Sequence, residues 1–89
     1  MSILVRMTAA GMTKESYDAV SEHLTPLLEA APGFKLHVAF LSDDGAFHVS
    51  EVWQSRADFD NWYENNVKPN VPGVAVDSTH EVHNVIAKK

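Results

Sequence analysis

Blocks of apolar and polar positions along the chain predict six elements in the order β-α-β-β-α-β. Residues 3–8 are apolar or β-branched apart from Arg6, which predicts a first strand. Thr13 is a suitable N-cap for a helix whose apolar residues recur at helical spacing. These residues are Tyr17, Val20, Leu24, Leu27 and Leu28. Pro26 predicts a kink or a restart within this helix, because proline lacks an N–H and clashes with the preceding turn.

Two further strands are predicted on either side of an Asp-Gly turn. Residues 34–41 and 46–54 are rich in apolar and β-branched residues, and the Asp-Gly pair at 44–45 is a strong hairpin signal. A two-residue turn there places Leu41 opposite His48, so that alternate residues sort onto two faces. One face would hold His37, Ala39, Leu41, His48, Ser50 and Val52, and the other Leu36, Val38, Phe40, Phe47, Val49, Glu51 and Trp53.

A second helix and a last strand complete the pattern. Ser55 and Asp58 are spaced as a capping box, which predicts a helix over about 56–67, and the last strand is predicted over about 79–86. This order is that of a ferredoxin-like α+β sandwich, expected as one domain over residues 1–89 with an antiparallel sheet and both helices on one face. Because both sheet faces are partly apolar, we expect a second copy of the chain to cover the face without helices.

Composition and charge narrow the classes of function. The 89 residues are 45% hydrophobic and 21% charged, which is typical of a folded globular domain. The balance of 7 Lys+Arg against 12 Asp+Glu argues against a nucleic-acid partner. The absence of cysteine excludes disulfides, thiolate metal sites and a cysteine nucleophile. No apolar run is long enough for a signal segment or a membrane span, so we expect no membrane partner and a cytoplasmic location.

Four stretches of the chain resemble one protein family. They are APGFKLHVAF, DDGAF, SEVWQSRADFDNW and EVHNVIA. Together they resemble the small dimeric α+β barrel proteins of the antibiotic biosynthesis monooxygenase type, in which two ferredoxin-like chains pair their sheets face to face. The resemblance implies a homodimer. The known activities of this family range from cofactor-independent oxidation of aromatic polyketides to haem degradation. Trp62 matches the helix tryptophan of the oxygenases, whereas Asp58 stands where they have asparagine, and the second helix lacks the histidine of the haem-degrading members.

The stretch FDNWY gives the predicted second helix an aromatic face. Phe59, Trp62, Tyr63 and Val67 recur at helical spacing, which is typical of core packing. The alternative is a platform for a flat ligand, since Trp and Tyr carry polar atoms that can orient a bound molecule. Under this alternative Trp62 is a candidate orienting group for catalysis, and Phe59 and Tyr63 are candidate ligand-binding residues.

Two histidines are candidate bases. His37 and His48 share a predicted sheet face with Ser50, whose small side chain would leave room for a ligand and contact it. Imidazole transfers protons near neutral pH, and a cofactor-independent oxygenase needs a base that favours the phenolate of its substrate. The alternative is that His48 is simply exposed near the hairpin and that His37 is a hydrogen-bonded sheet residue.

The sequence supports two hypotheses of function and a weaker third. The first is a homodimer that binds a small aromatic or polycyclic molecule, catalytic as a cofactor-independent monooxygenase with His37 or His48 as base. The second is a non-catalytic dimer of the same fold, either ligand-binding or fully packed. The third is haem binding. We expect no metal site, because His80 and His83 would point to opposite faces of a strand, and no bound cofactor. A cavity lined by polar tips would favour the first hypothesis.

Overall fold

A computed structural model describes residues 1–88. The elements in chain order are β1 (Ile3–Ala9), α1 (Lys14–Glu29), β2 (Phe34–Leu41), β3 (Phe47–Trp53), α2 (Arg56–Trp62), a π-helical turn (Tyr63–Val67), α3 (Lys68–Asn70) and β4 (Val74–Glu81). The predicted ferredoxin-like α+β fold is confirmed. In the described part of the chain, no helix has the length and apolar character needed to cross a membrane.

The four strands form one antiparallel sheet in the order β2-β3-β1-β4. Strands β3 and β1 therefore lie inside the sheet, and β2 and β4 form its edges. The apolar core lies between the helices and one face of this sheet, which we call the inner face. Its most buried members are Val5, Trp53 and Phe59, with exposed fractions of 0%, 0% and 1%. The opposite, outer face carries none of the helices described above.

Both predicted helix starts are confirmed, and the helix interiors differ from prediction. Thr13 and Ser16 form a reciprocal capping box at the start of α1, and Ser55 accepts a hydrogen bond from the Asp58 backbone N–H at 3.2 Å at the start of α2. Helix α1 continues through Pro26 to Glu29, so no restart occurs. The second helix is α-helical only to Trp62, because the chain widens there into the π-helical turn.

The β2–β3 hairpin differs from the prediction by one residue in register. Its loop has three residues, 43–45, because the Gly45 N–H donates to the Ser42 carbonyl at 2.9 Å and the Ser42 N–H donates to the Ala46 carbonyl at 3.0 Å. Gly45 has a φ of 85°, which suits the left-handed position of such a loop. Leu41 consequently pairs with Phe47 rather than with His48. The predicted two-residue turn is wrong.

This register changes which residues share a face of the hairpin. The inner face holds His37, Ala39, Leu41, Phe47, Val49, Glu51 and Trp53, and the outer face holds Leu36, Val38, Phe40, His48, Ser50 and Val52. The predicted grouping of His37 with His48 and Ser50 is therefore wrong. The grouping of Phe40 with Val49 on one face is wrong for the same reason, since a shift of one residue moves a strand's side chains to the other face.

The last strand begins earlier than predicted and ends earlier. Strand β4 covers Val74–Glu81 instead of 79–86, and residues 82–88 follow without regular secondary structure. The polar residues Asp77 and Ser78 interrupt the apolar pattern within the strand, at the place where its register with β1 shifts. A bulge of this kind breaks the alternation on which strand prediction depends, and it hid the first half of β4.

Candidate functional site

An open cavity of about 90 Å³ lies between the inner face of the sheet and the helices. Its walls are mostly apolar, and Met7, Met12, Val20, Leu24, Val49 and Trp62 contribute to them. Polar atoms reach it from Tyr17, Ser21, Thr25, His37 and Glu51. A mostly apolar cavity with a few convergent polar groups is the usual form of a small-molecule site.

Three of the polar residues form a continuous chain of hydrogen bonds, the Tyr17–His37–Glu51 relay. The Tyr17 hydroxyl lies 2.8 Å from Nε2 of His37, and Nδ1 of His37 lies 2.6 Å from Oε2 of Glu51. The indole N–H of Trp53 donates to the other carboxylate oxygen of Glu51 at 3.0 Å. An ionised carboxylate only accepts, so the Nδ1 atom of His37 carries the proton and Nε2 accepts from Tyr17.

Burial shapes the electrostatics of the relay. Glu51 is only 3% exposed, and both of its oxygens are satisfied by the bonds from His37 and Trp53. Burial raises the pKa of Tyr17, a hydrogen bond with Ser21 opposes that rise, and the negative charge of Glu51 adds to it. Tyr17 is therefore a neutral phenol near neutral pH, able to donate its proton to His37 and to accept another.

The structure places two of the three candidate catalytic residues at the cavity. His37 and Trp62 lie on its wall. Phe59 and Tyr63 lie in the adjoining core instead. Phe59 is 1% exposed and packs against Trp53, and the Tyr63 hydroxyl donates to the Val74 carbonyl at 2.9 Å.

His48 and Ser50 are on the outer face, away from the cavity. The two ring nitrogens of His48 lie 3.2 Å from the Thr8 hydroxyl and 3.1 Å from the Ser42 hydroxyl. The structure therefore does not bring His48 and His37 together. Within residues 1–88, no three His, Asp or Glu side chains are grouped so that they could hold a metal ion.

The comparisons with known proteins agree with this fold. The family model described as antibiotic biosynthesis monooxygenase matches residues 2–67. The chain belongs to the antibiotic biosynthesis monooxygenase family. A search among curated proteins found no significant match.

Solved structures resemble this member of the antibiotic biosynthesis monooxygenase family over nearly its whole length. Rv0793 from Mycobacterium tuberculosis is 16% identical with a TM-score of 0.74, and the match covers 98% of this chain and 100% of that one. The heme-degrading protein Rv3592 from the same organism is 17% identical with a TM-score of 0.69, covering 98% of each chain. SnoaB, a cofactor-independent oxygenase from Streptomyces nogalater, is 10% identical with a TM-score of 0.66, covering 98% and 97%. Identities this low show a shared fold.

Two residues of the relay, Tyr17 and Glu51, are not predicted as site residues from the sequence. Tyr17 was counted only as part of the apolar stripe of α1, and Glu51 only as a face residue of β3. The available signal is Glu51 itself, a single acidic residue between the apolar residues Val49 and Trp53 of a predicted strand. A buried carboxylate requires partners, and with the three-residue hairpin loop the residue opposite it is His37.

Proposed function

We propose that the protein is a cofactor-independent monooxygenase that oxidises a small aromatic hydroxyl compound in the cavity. The observation that carries this proposal is the Tyr17–His37–Glu51 relay at the cavity wall. A carboxylate that orients an imidazole, whose other nitrogen meets a hydroxyl, is the arrangement of a general base in many unrelated enzymes. The similarity of fold to SnoaB supports the reaction class.

The relay would remove the proton of the substrate hydroxyl in one concerted step. The substrate O–H donates to the Tyr17 oxygen while the Tyr17 proton moves to Nε2 of His37, 2.8 Å away. The imidazolium that results is stabilised by the Glu51 carboxylate. Trp62 offers a flat ring on the cavity wall against which an aromatic substrate can be oriented. The product of this step is a substrate phenolate.

A phenolate can reduce dioxygen without a bound redox group. It transfers one electron to O₂, and the resulting radicals combine at a ring carbon. The C–H bond there becomes C=O, so that one oxygen atom enters the substrate and the other leaves as water. A phenol and O₂ thus give a quinone and water, with every electron supplied by the substrate. The protein's part is to form the phenolate and hold it beside oxygen.

Replacing His37 with glutamine is expected to lower the rate of oxygen consumption by about 10²- to 10⁴-fold, the usual contribution of a general base. The measurement is oxygen uptake with phenols, anthrones and quinols, with incorporation of labelled oxygen followed by mass spectrometry. The matched control is His48→Gln on the outer face, because the two imidazoles are equally half-buried, 27% and 26% exposed. Equal losses in both variants, or no loss in His37→Gln, would contradict the role of His37.

A non-catalytic homodimer that binds a small ligand is the second candidate. It is favoured by the outer face, where Leu36, Val38 and Phe40 remain 42%, 48% and 47% exposed in the single chain. Exposed apolar side chains grouped on one sheet face are typical of a protein interface, and a second copy of the chain would cover them. Ligands that bind without oxygen uptake under any of the conditions above would favour this candidate.

Haemin is expected to give no sharp, saturable Soret change that depends on one histidine. The second helix carries no histidine, and a cavity of about 90 Å³ is too small for a porphyrin. His37, the histidine at the cavity, is already hydrogen-bonded through both ring nitrogens. The measurement is a titration followed by absorbance. A stoichiometric complex that is lost when a single histidine is replaced would overturn this expectation and favour a function like that of Rv3592.

A further inference from the structure

We propose that the ligand of the cavity is a neutral, single-ring compound with a hydroxyl group, and that Trp62 sets this upper limit of size. The inference rests on the proposed function for the use made of the hydroxyl, and it narrows the substrate from aromatic compounds in general to one class. It is carried by the volume of the cavity, the charge of its walls and the position of Trp62 between two spaces.

The volume of the cavity limits the ligand to one ring. The space of about 90 Å³ is smaller than the roughly 150 Å³ of an engineered cavity that binds benzene, and well below the roughly 300 Å³ at which pockets for larger ligands begin, so even a single ring must extend through the open side. The cavity is open on one side, so that a single ring can enter while its substituents remain near the mouth. A fused second ring would have to stay outside or displace a wall.

Trp62 is the wall that a larger ligand would meet. Trp62 lines the cavity and also lines a second cleft of about 190 Å³ between the end of α1 and α2. That cleft has polar walls from Asp58, Asn61 and Asn66 and an apolar wall from Leu27. Since Trp62 lines both spaces, its indole ring is the group to which we assign their separation.

The indole ring of Trp62 is held firmly in this position. It is 4% exposed and packs against Trp53, with ring centroids 6.2 Å apart. It therefore acts as a fixed wall, because a rotation into either space would cost its packing contacts. Removing most of this side chain would join the cavity to the cleft and make room for two fused rings.

The charge of the walls favours a neutral ligand. Among residues 1–88, no Lys or Arg lines the cavity, and Glu51 contributes a buried negative charge. An anionic ligand would be repelled by Glu51 and would lose its hydration without a cation to replace it. A cationic ligand would also lose its hydration among apolar walls, and both Glu51 oxygens already accept hydrogen bonds.

The relay selects a hydrogen-bond donor on the ring. Tyr17 gives its own proton towards Nε2 of His37, so the hydroxyl oxygen of Tyr17 retains the capacity to accept. A ligand hydroxyl supplies the matching donor at the polar part of an otherwise apolar cavity. A ring of the same size without this group, such as toluene, cannot donate to the Tyr17 oxygen and displaces any water that does.

The test compares ligands in the absence of oxygen, so that binding is measured without turnover. Phenol, 2-naphthol, toluene and benzoate are titrated by calorimetry and by quenching of tryptophan fluorescence. Phenol is expected to bind at least about tenfold more tightly than each of the other three, a difference of about 1.4 kcal/mol. Binding of 2-naphthol or benzoate as tight as that of phenol would overturn the proposal, as would the absence of phenol binding.

Two variants test the role of Trp62. Trp62→Leu joins the two spaces and is expected to reverse the preference, so that 2-naphthol binds more tightly than phenol. The matched control is Phe59→Leu, which removes a buried ring from the same helix but lines neither space, and it should keep the preference for phenol. An unchanged preference in Trp62→Leu would overturn the assignment of Trp62.

A milder change keeps the test decisive if Trp62→Leu does not fold. Val20→Ala enlarges the same cavity from α1 without changing Trp62, and it should reduce the difference in affinity between phenol and 2-naphthol.

Failure of this proposal is distinct from failure of the proposed function. Selection of ligands by size without oxygen uptake would contradict only the proposed monooxygenase activity. Oxidation of a two-ring substrate by the unmodified protein would contradict only the proposed size limit.

Discussion

Glu51→Gln is expected to lower the rate of substrate oxidation by about 10²- to 10⁴-fold while leaving the chain folded. The glutamine amide is nearly the same size as the carboxylate and can accept from Trp53, which donates to Glu51 at 3.0 Å. Its oxygen must face this indole N–H, since the amide nitrogen has no acceptor to offer it. The NH₂ group is then directed at Nδ1 of His37, 2.6 Å from the present carboxylate oxygen.

This orientation of the amide reverses the protonation of His37. With a donor facing Nδ1, the neutral ring must accept there and carry its proton on Nε2. The Nε2 atom then donates to Tyr17 instead of accepting from it, and the relay has no base at the cavity. The loss of negative charge also removes the stabilisation of the imidazolium. The Glu51→Gln variant therefore loses the general base at the cavity but keeps the side-chain packing around residue 51.

Two measurements check the effect of Glu51→Gln. Nitrogen NMR of the imidazole reports which ring nitrogen of His37 carries the proton, with no need for a substrate. Oxygen uptake reports the rate. Glu22→Gln, on the exposed surface of α1, is the control for the loss of one negative charge. An unchanged tautomer of His37, or a rate equal to that of Glu22→Gln, would count against the relay.

The variants Phe40→Asp and Val49→Asp are expected to have different effects, the first on the dimer and the second on the stability of the chain. Phe40 is on the outer face and 47% exposed, so Phe40→Asp should separate a dimer into folded monomers. Val49 faces the cavity on the inner face, beside Met7. Val49→Asp places an unpaired charge there, near Glu51, and should lower the free energy of unfolding by about 3 kcal/mol.

Sedimentation and urea denaturation separate these two outcomes. Leu27→Asp is the control, because Leu27 is 46% exposed on α1, at the cleft between α1 and α2 and in neither face of the hairpin. It should change neither the mass of the particle nor its stability by much. A monomeric unmodified protein, or a Phe40→Asp variant that remains dimeric, would contradict the interface on the outer face. A Val49→Asp variant as stable as Leu27→Asp would contradict the placement of Val49.

The pattern of apolar residues was sufficient for the fold because it repeats over many positions. The helical spacing in α1 and the capping residues Thr13 and Ser55 agree with each other, and each prediction tolerates an error of one or two residues. The hairpin register does not tolerate such an error. Gly45 with a positive φ fits a two-residue or a three-residue loop, and the difference decides which face every residue of β2 occupies relative to β3.

The site was only half predictable for the same reason. His37 is predicted from its chemistry and its strand position, and Trp62 from its chemistry and the family resemblance, and the structure places both at the cavity. Glu51 could not be matched to His37 while the register was shifted by one residue. Tyr17 meets His37 only because α1 packs across β2, and the angle of that packing is a tertiary property which periodicity does not contain.

The order of the strands also has a consequence for how the chain reaches its folded state. Strand β1 is synthesised before its partners β3 and β4, which come from the middle and the far end of the described chain. Pairings between distant segments form slowly, whereas the β2–β3 hairpin is local and can form early. One backbone edge of β1 therefore stays unpaired on the ribosome until β4 has been made, and a nascent chain stalled before β4 should be a target for chaperones.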